Sequence, residues 1–164
     1  MYSALGISEK VINLANEAEE NIKDIFENIE KILTFRLPEE YKTHLLMYNG
    51  GRCKPNIFSF IEEGKISKSS IDWFLAIYEG KYDNLNTYIN MYKFEQKRIP
   101  FYLVPIAHDA GGNLICISCS ESDYGYIYFW DHEKEQNHAH TDYWGNIYLI
   151  DKSFNRFITN LKFK

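Results

Sequence analysis

Cysteine is scarce in this chain of 164 residues: Cys53, Cys116 and Cys119 are the only three. So small and odd a number excludes a disulfide-stapled secreted scaffold and points to reduced thiols. Proline occurs four times, and no Asn-x-Ser/Thr acceptor is present. Long apolar runs are missing as well. The longest, Ile99 to Ala107, is too short to span a bilayer and is interrupted by Pro100 and Pro105. The opening MYSALGISEK has neither the basic start nor the apolar centre of a secretory signal. These absences together predict a cytoplasmic protein with no membrane partner. Arginine is limited to four residues beside abundant Ile, Lys, Asn and Tyr. That pattern reads as the coding bias of an AT-rich genome, so richness in Tyr and Asn is not taken as a functional signal.

What is present is enough for a substantial core. A hydrophobic content of 45% over this length fits one domain spanning residues 1–164. The net charge of -5 is unevenly placed. Residues 1–33 hold seven acids against three lysines, and residues 109–142 hold Asp109, Glu121, Asp123, Asp131, Glu133, Glu135 and Asp142 against Lys134 alone. The remaining segments are net positive. An acidic surface repels phosphate backbones and steers basic partners, so direct nucleic-acid binding is disfavoured.

From Ser8 onward, Val11, Leu14, Ala15, Ala18, Ile22, Ile25, Phe26, Ile29, Ile32 and Leu33 follow spacings of three and four, predicting an amphipathic helical region with its glutamates on the wet side. Pro38 opens a second helix with Glu39 and Glu40 in its first turn, where carboxylates favour the helix dipole. Asn49-Gly50-Gly51 stops it. A strand is expected at Ile57 to Ile61, a short helix at Ile71 to Tyr78, and another helix after Asp83 that ends before Pro100. On this reading helices fill most of the first 95 residues. The second half changes period: Phe101 to Ala107, Asn113 to Cys119 and Gly125 to Asp131 read as an antiparallel meander, followed by a strand at Asn146 to Ile150 and a helix from about Lys152. The fold class is α+β, a mostly antiparallel sheet in the second half packed against N-terminal and C-terminal helices.

Motifs for chemistry are weak. Cys116-Ile-Ser-Cys119 has CxxC spacing but lies in an expected strand, where the two thiols point to opposite faces and read as core. His132, His138 and His140, interleaved with carboxylates, form the best metal-ligand cluster, yet no recognised ligand spacing is present and a polar loop reads the same way. Gly111-Gly112 and Glu62-Glu63-Gly64-Lys65 lack the glycines of a phosphate cradle and read as turns. No GxSxG elbow occurs. Neither a catalytic residue nor a cofactor is assigned. Tyr124, Tyr126, Tyr128 and Trp130 alternate with Gly125, Ile127 and Phe129, as expected of a central strand buried on both faces.

Leu37-Pro38-Glu39-Glu40-Tyr41, the Tyr48-Asn49-Gly50-Gly51 stop, and Val104-Pro105-Ile106-Ala107 leading to Asp109 and Gly112-Asn113-Leu114-Ile115-Cys116 form an ordered series. Tyr126 to Glu133 and the closing helix with Phe154, Phe157 and Ile158 complete it. In that order the series resembles the SUKH superfamily in its Smi/Knr-like branch, over roughly residues 22 to 161. The resemblance implies an α+β fold without a catalytic site and a role as an immunity protein that binds a cognate bacterial toxin domain, often a nuclease. Two alternatives stay open: a regulatory protein-interaction module like the Smi/Knr members that act in yeast cell-wall regulation, and a metal-dependent enzyme centred on the three histidines. Two segments depart from the family pattern, the insertion Lys134 to Tyr143 and a long helical region expected from Ser69 to Lys97. For the leading reading, Asp109, Glu121, Asp123, Asp131, Glu133 and Glu135 supply charge to the partner, with Tyr124 or Trp144 as an aromatic anchor. The sequence sets no oligomeric state.

Overall fold

The computed structural model describes residues 3–5, 19–80, 82–135 and 145–164. Strand β1 (Ser3–Leu5) is followed by helix α1 (Glu19–Leu33) and helix α2 (Glu39–Tyr48). Then come β2 (Arg52–Lys54), the hairpin of β3 (Ile57–Glu62) and β4 (Lys65–Ser70), and β5 (Trp73–Phe74). Helix α3 (Leu85–Ile89) runs into a wider π-helical turn at Asn90–Glu95. The chain closes with β6 (Leu103–His108), β7 (Leu114–Ser118), β8 (Ile127–Trp130), β9 (Ile147–Asp151) and α4 (Phe154–Asn160). The expected helix positions Ser8, Val11, Leu14, Ala15 and Ala18 lie outside the described residues.

Strands β5-β6-β7-β8-β9 form one sheet in that order, every neighbour antiparallel. From β6 to β9 this is the meander expected from the period-two pattern of the second half; β5 is not part of that expectation. Alternation along each strand divides the core in two. Val104, Ile115, Ile117, Ile127 and Phe129 enter the larger cluster with Leu33, Leu37, Leu45, Phe154 and Phe157 of the helices. Leu103, Leu114, Cys116 and Trp130 face the other way, packed with Ile99 and partly buried Tyr88 and Tyr92. Each fully buried Leu, Ile or Phe contributes roughly 2–3 kcal/mol, so both faces of the sheet drive folding. The Phe60 ring stacks on Phe129 at 4.5 Å and on Tyr148 at 5.5 Å, docking the β3–β4 hairpin on the larger cluster.

The segment from Ile71 to Tyr78 is not a helix. Its apolar residues repeat at helical spacing, but its backbone is satisfied by distant strands: Ile71 N donates to Asn56 O, Phe74 N to Gly51 O, and Leu75 N to Ile106 O. The expectation that helices fill most of the first 95 residues, and the long helical region from Ser69 to Lys97, are corrected for the same reason. Strands occupy much of residues 52–74, and β4 is too polar to announce itself. Helix α3 is capped by Asn84, whose side chain accepts from Thr87 N at 3.1 Å. The π turn that follows buries Lys93, whose Nζ donates to the carbonyls of Phe101 and Leu103; burial pushes this ammonium down to about 8.

The two CxxC thiols do point to opposite faces, Cys116 into the smaller cluster and Cys119 into the larger. The aromatic strand is buried on both faces at Ile127, Phe129 and Trp130, whereas Tyr128 is half-buried and Tyr124 exposed.

Candidate functional site

Antiparallel connection sends successive loops to alternate ends of the sheet. Residues 109–113 join β6 to β7 at one end, residues 119–126 join β7 to β8 at the other, and Asp131 onward leaves β8 at the first end again. The acidic residues expected to act together therefore separate. Asp109, Asp131, Glu133 and Glu135 share one end; Glu121, Asp123 and Tyr124 share the other, beyond the length of β7, about 13 Å for five residues.

The first end is a bonded scaffold. Asp109, buried, accepts through Oδ1 from Gly111 N and Asn113 N, and through Oδ2 from Asn113 Nδ2 and Ser69 Oγ, all at 2.9 Å. Its charge is spent on shaping the turn and fastening β4 to it. Asn113 Oδ1 accepts from His132 N at 3.0 Å, while His132 Nε2 lies 2.7 Å from the Gly111 carbonyl and so donates to it. Gly112, at φ +88°, lies under that ring; a Cβ there would sit 3.4 Å from Nε2. Asp131 caps the short turn His132–Lys134 by accepting from Glu133 N at 3.0 Å.

Glu135 is clamped by Arg98, whose Nη2 donates at 2.8 Å, and the guanidinium lies over both Tyr92 and Trp130 at 5.1 and 5.0 Å. Lys134 pairs with Glu62 across to the hairpin and holds its carboxyl below the usual range. Two ion pairs thus pin the chain immediately after Glu133, which is exposed. Trp144, His138 and His140 lie outside the described residues; Glu135 and Gly145, which bracket them in sequence, are described.

Sequence reasoning missed three residues at this end. His108 Nε2 lies 2.5 Å from Asp83 Oδ1, its Nδ1 lies 3.8 Å from Asp72 Oδ2, and its ring stacks on Tyr88. No local motif marks them, because Asp72 reaches the sheet through the extended segment misread as a helix and Asp83 through the turn before α3. Asp72, Asp83, Asp131 and Glu133 have no lysine or arginine partner among the described residues.

At the second end, Asp123 is turned inward, taking hydrogen bonds from Ser118 Oγ and Tyr128 Oη at 2.5 Å each. Tyr124, 45% exposed, donates to the Arg36 carbonyl at 2.9 Å. Glu121 is exposed. No group of three or more His, Cys, Asp or Glu placed to hold a metal occurs among the described residues. The thiols of Cys116 and Cys119 are both pushed up to about 12 by burial, which leaves no thiolate for nucleophilic attack near neutral pH.

The description of the SMI1 / KNR4 family (SUKH-1) matches residues 19–160, most of the chain. The chain belongs to the SUKH-1 family. It is 27% identical over 166 residues to the SPbeta prophage-derived uncharacterized protein YokK of Bacillus subtilis (strain 168), an overlap covering 94% of this chain and 82% of that protein. No solved structure matches. Within this SUKH-1 chain, the segments 37–41, 48–51, 104–116 and 126–133 hold the start of α2, its stop, most of β6 with the start of β7, and β8. They are the frame that presents the loops. No helix among the described residues is long and apolar enough to cross a membrane.

Proposed function

We propose that this SUKH-1 protein is an immunity protein that acts in the cytoplasm, binding a cognate bacterial toxin domain and blocking its active site by occlusion. Members of the family typically neutralise toxins, and the observation that carries the reading to a surface is the acidic end of the sheet. There Asp72, Asp83, Asp131 and Glu133 stand without a lysine or arginine partner among the described residues, on loops braced by Asp109, Asn113 and the Arg98–Glu135 pair. Carboxylates offset by no lysine or arginine, Asp72 and Asp83 facing only His108, raise the association rate of a basic partner, and loops already braced need little ordering on binding. A nuclease domain, whose substrate cleft must be basic to hold a phosphate backbone, is the partner class this charge fits. Trp144 is the proposed aromatic anchor.

The test is co-expression with the toxin-like gene beside this one. Wild type is expected to protect, D131K/E133K to lose protection, and E121K, at the opposite end, to keep it. Unchanged protection by D131K/E133K overturns the surface, and absence of any protection by wild type overturns the role in favour of a regulatory interaction module.

A further inference from the structure

The β3–β4 hairpin buries one face and leaves the other bare. Phe58 and Phe60 point into the larger cluster, so alternation turns Ile57, Ser59 and Ile61 outward. The strand register sets Ser70, Lys68 and Ile66 opposite them on the same face. On the other flank of β3 the C-terminal segment adds a rung: Ile57 N donates to Lys162 O at 3.0 Å and Lys162 N to Ile57 O at 2.9 Å, which sets Lys162 beside Ile57. Ile61 and Ile66 form a cross-strand pair, 67% and 75% exposed, and Phe163, next to Lys162, is 62% exposed.

The charge here is opposite to that of the acidic end. The side chains of residues 54–70 and 162–164 hold five lysines, Lys54, Lys65, Lys68, Lys162 and Lys164, against Glu62 and Glu63. Both acids face a sixth lysine: Glu62 is paired with Lys134, and Glu63 lies 4.0 Å from it. Of the carboxylates on the adjoining segments, Asp72 faces His108 and Asp151 is paired with Arg156. The five lysines are exposed, and none has an ion-pair partner among the described residues. At physiological salt fields fade within about 8 Å, so a surface meeting this face senses its lysines and not the net charge of -5.

An exposed apolar patch marks a protein or a membrane contact, and composition separates the two. Protein interfaces favour Tyr, Trp and Arg and are poor in Lys. Nucleic-acid readers rely on arginine and on stacking rings. This face has lysine without arginine, and aliphatic side chains in place of rings except at Phe163. Lysines around apolar side chains that can enter a headgroup layer are the chemistry that holds a protein on anionic lipid. We infer that the outward face of the β3–β4 hairpin, with Ile61, Ile66, Lys68, Lys162 and Phe163, docks on an anionic lipid surface. The isoleucines and Phe163 enter the headgroup layer, and the lysines meet its phosphates. The lack of long apolar runs excludes spanning a bilayer and leaves peripheral docking open, which departs from the expectation of no membrane partner. Docking here is independent of the toxin reading.

The test is flotation of the full chain with vesicles of phosphatidylcholine alone and of phosphatidylcholine mixed with phosphatidylglycerol. Wild type is expected to partition onto the anionic vesicles roughly tenfold or more above the neutral ones, and to be released near 1 M salt, where fields reach only about 3 Å. K68E/K162E and I61S/I66S are each expected to lose roughly tenfold. K31E/R36E changes the net charge as much as K68E/K162E does, but beside the cleft between α1 and α2, and is expected to float as wild type. Thermal melts check folding; if I61S/I66S does not fold, the two charge-reversal variants decide alone. A wild type that ignores anionic vesicles, a folded I61S/I66S or K68E/K162E that floats unchanged, or an equal loss in K31E/R36E overturns the inference. So does retention by double-stranded DNA or polyglutamate in place of vesicles, which assigns the face to another anionic polymer.

Discussion

Asn49 and Ile77, 28 positions apart, close a ring of two hydrogen bonds: Asn49 Nδ2 donates to Ile77 O and Ile77 N to Asn49 Oδ1, each at 2.8 Å. Asn49 ends α2 in the left-handed region at φ +46°, and its backbone N–H bonds Leu45 O. One residue thus stops a helix and fastens the segment that leads to Asp83 and α3. N49A leaves both Ile77 groups unpaired, and stability is expected to fall by about 2–3 kcal/mol, read as a lower urea midpoint with unchanged slope. N49G, which tolerates the backbone but loses the ring, is expected to recover little of it.

Gly50 follows at φ +82°, where an added Cβ would meet Ala76 Cβ at 2.7 Å and Phe74 O at 2.9 Å. Gly64, in the β3–β4 turn at φ +78°, has nothing within 4 Å of such a Cβ. G64A is therefore expected to carry only the left-handed strain, about 1–2 kcal/mol. G50A adds a clash with backbone and is expected to exceed that by at least about 1 kcal/mol. Equal melting temperatures for the two variants would contradict the close approach of α2's end to Ala76.

His44 is buried between the rings of Tyr48, Phe74 and Phe154, and burial lowers it to about 4 from an ordinary 6.5. The unfolded chain then binds the proton that the folded chain refuses. Stability from this residue is fully present above about pH 6.5 and is lost as pH falls toward 4, reaching roughly 3 kcal/mol. Lys93 is charged in both states across this window and adds no slope. Urea titrations at pH 7 and pH 4.5 are expected to show the loss in wild type and a smaller one in H44L.

Cys53, Cys116 and Cys119 are all buried and none forms a disulfide. With all three thiols shut off from solvent, and burial holding Cys116 and Cys119 in the thiol form, an aromatic disulfide reagent at neutral pH is expected to titrate none of them within minutes in the native protein. All three should react at once in denaturant. Rapid modification of Cys116 in native protein would contradict its burial in the smaller cluster with Trp130.

Much of the frame was legible in the sequence. The alternation in Leu114-Ile115-Cys116-Ile117 assigns strand and both faces, since period two fixes which residues share a side. The three-four spacing of Phe26, Ile29 and Leu33 assigns the buried stripe of α1, and Asn49-Gly50-Gly51 marks its neighbour's stop. Ile71, Phe74, Leu75 and Tyr78 repeat at helical spacing too, yet form no helix, because the backbone of the first three bonds to Asn56, Gly51 and Ile106. Nothing local distinguishes the two cases.

What the sequence determined by itself was therefore everything set by short-range periodicity and turn chemistry: the meander, the helices α1, α2 and α4, and an ordered set of segments typical of SUKH-1. Only the tertiary structure decided which loops meet. Strand reversal sends Glu121 and Tyr124 to one end and Asp131 and Glu133 to the other, and carries His108 to Asp72 and Asp83. Position along a chain records the order of loops; antiparallel pairing sets the end at which each one emerges.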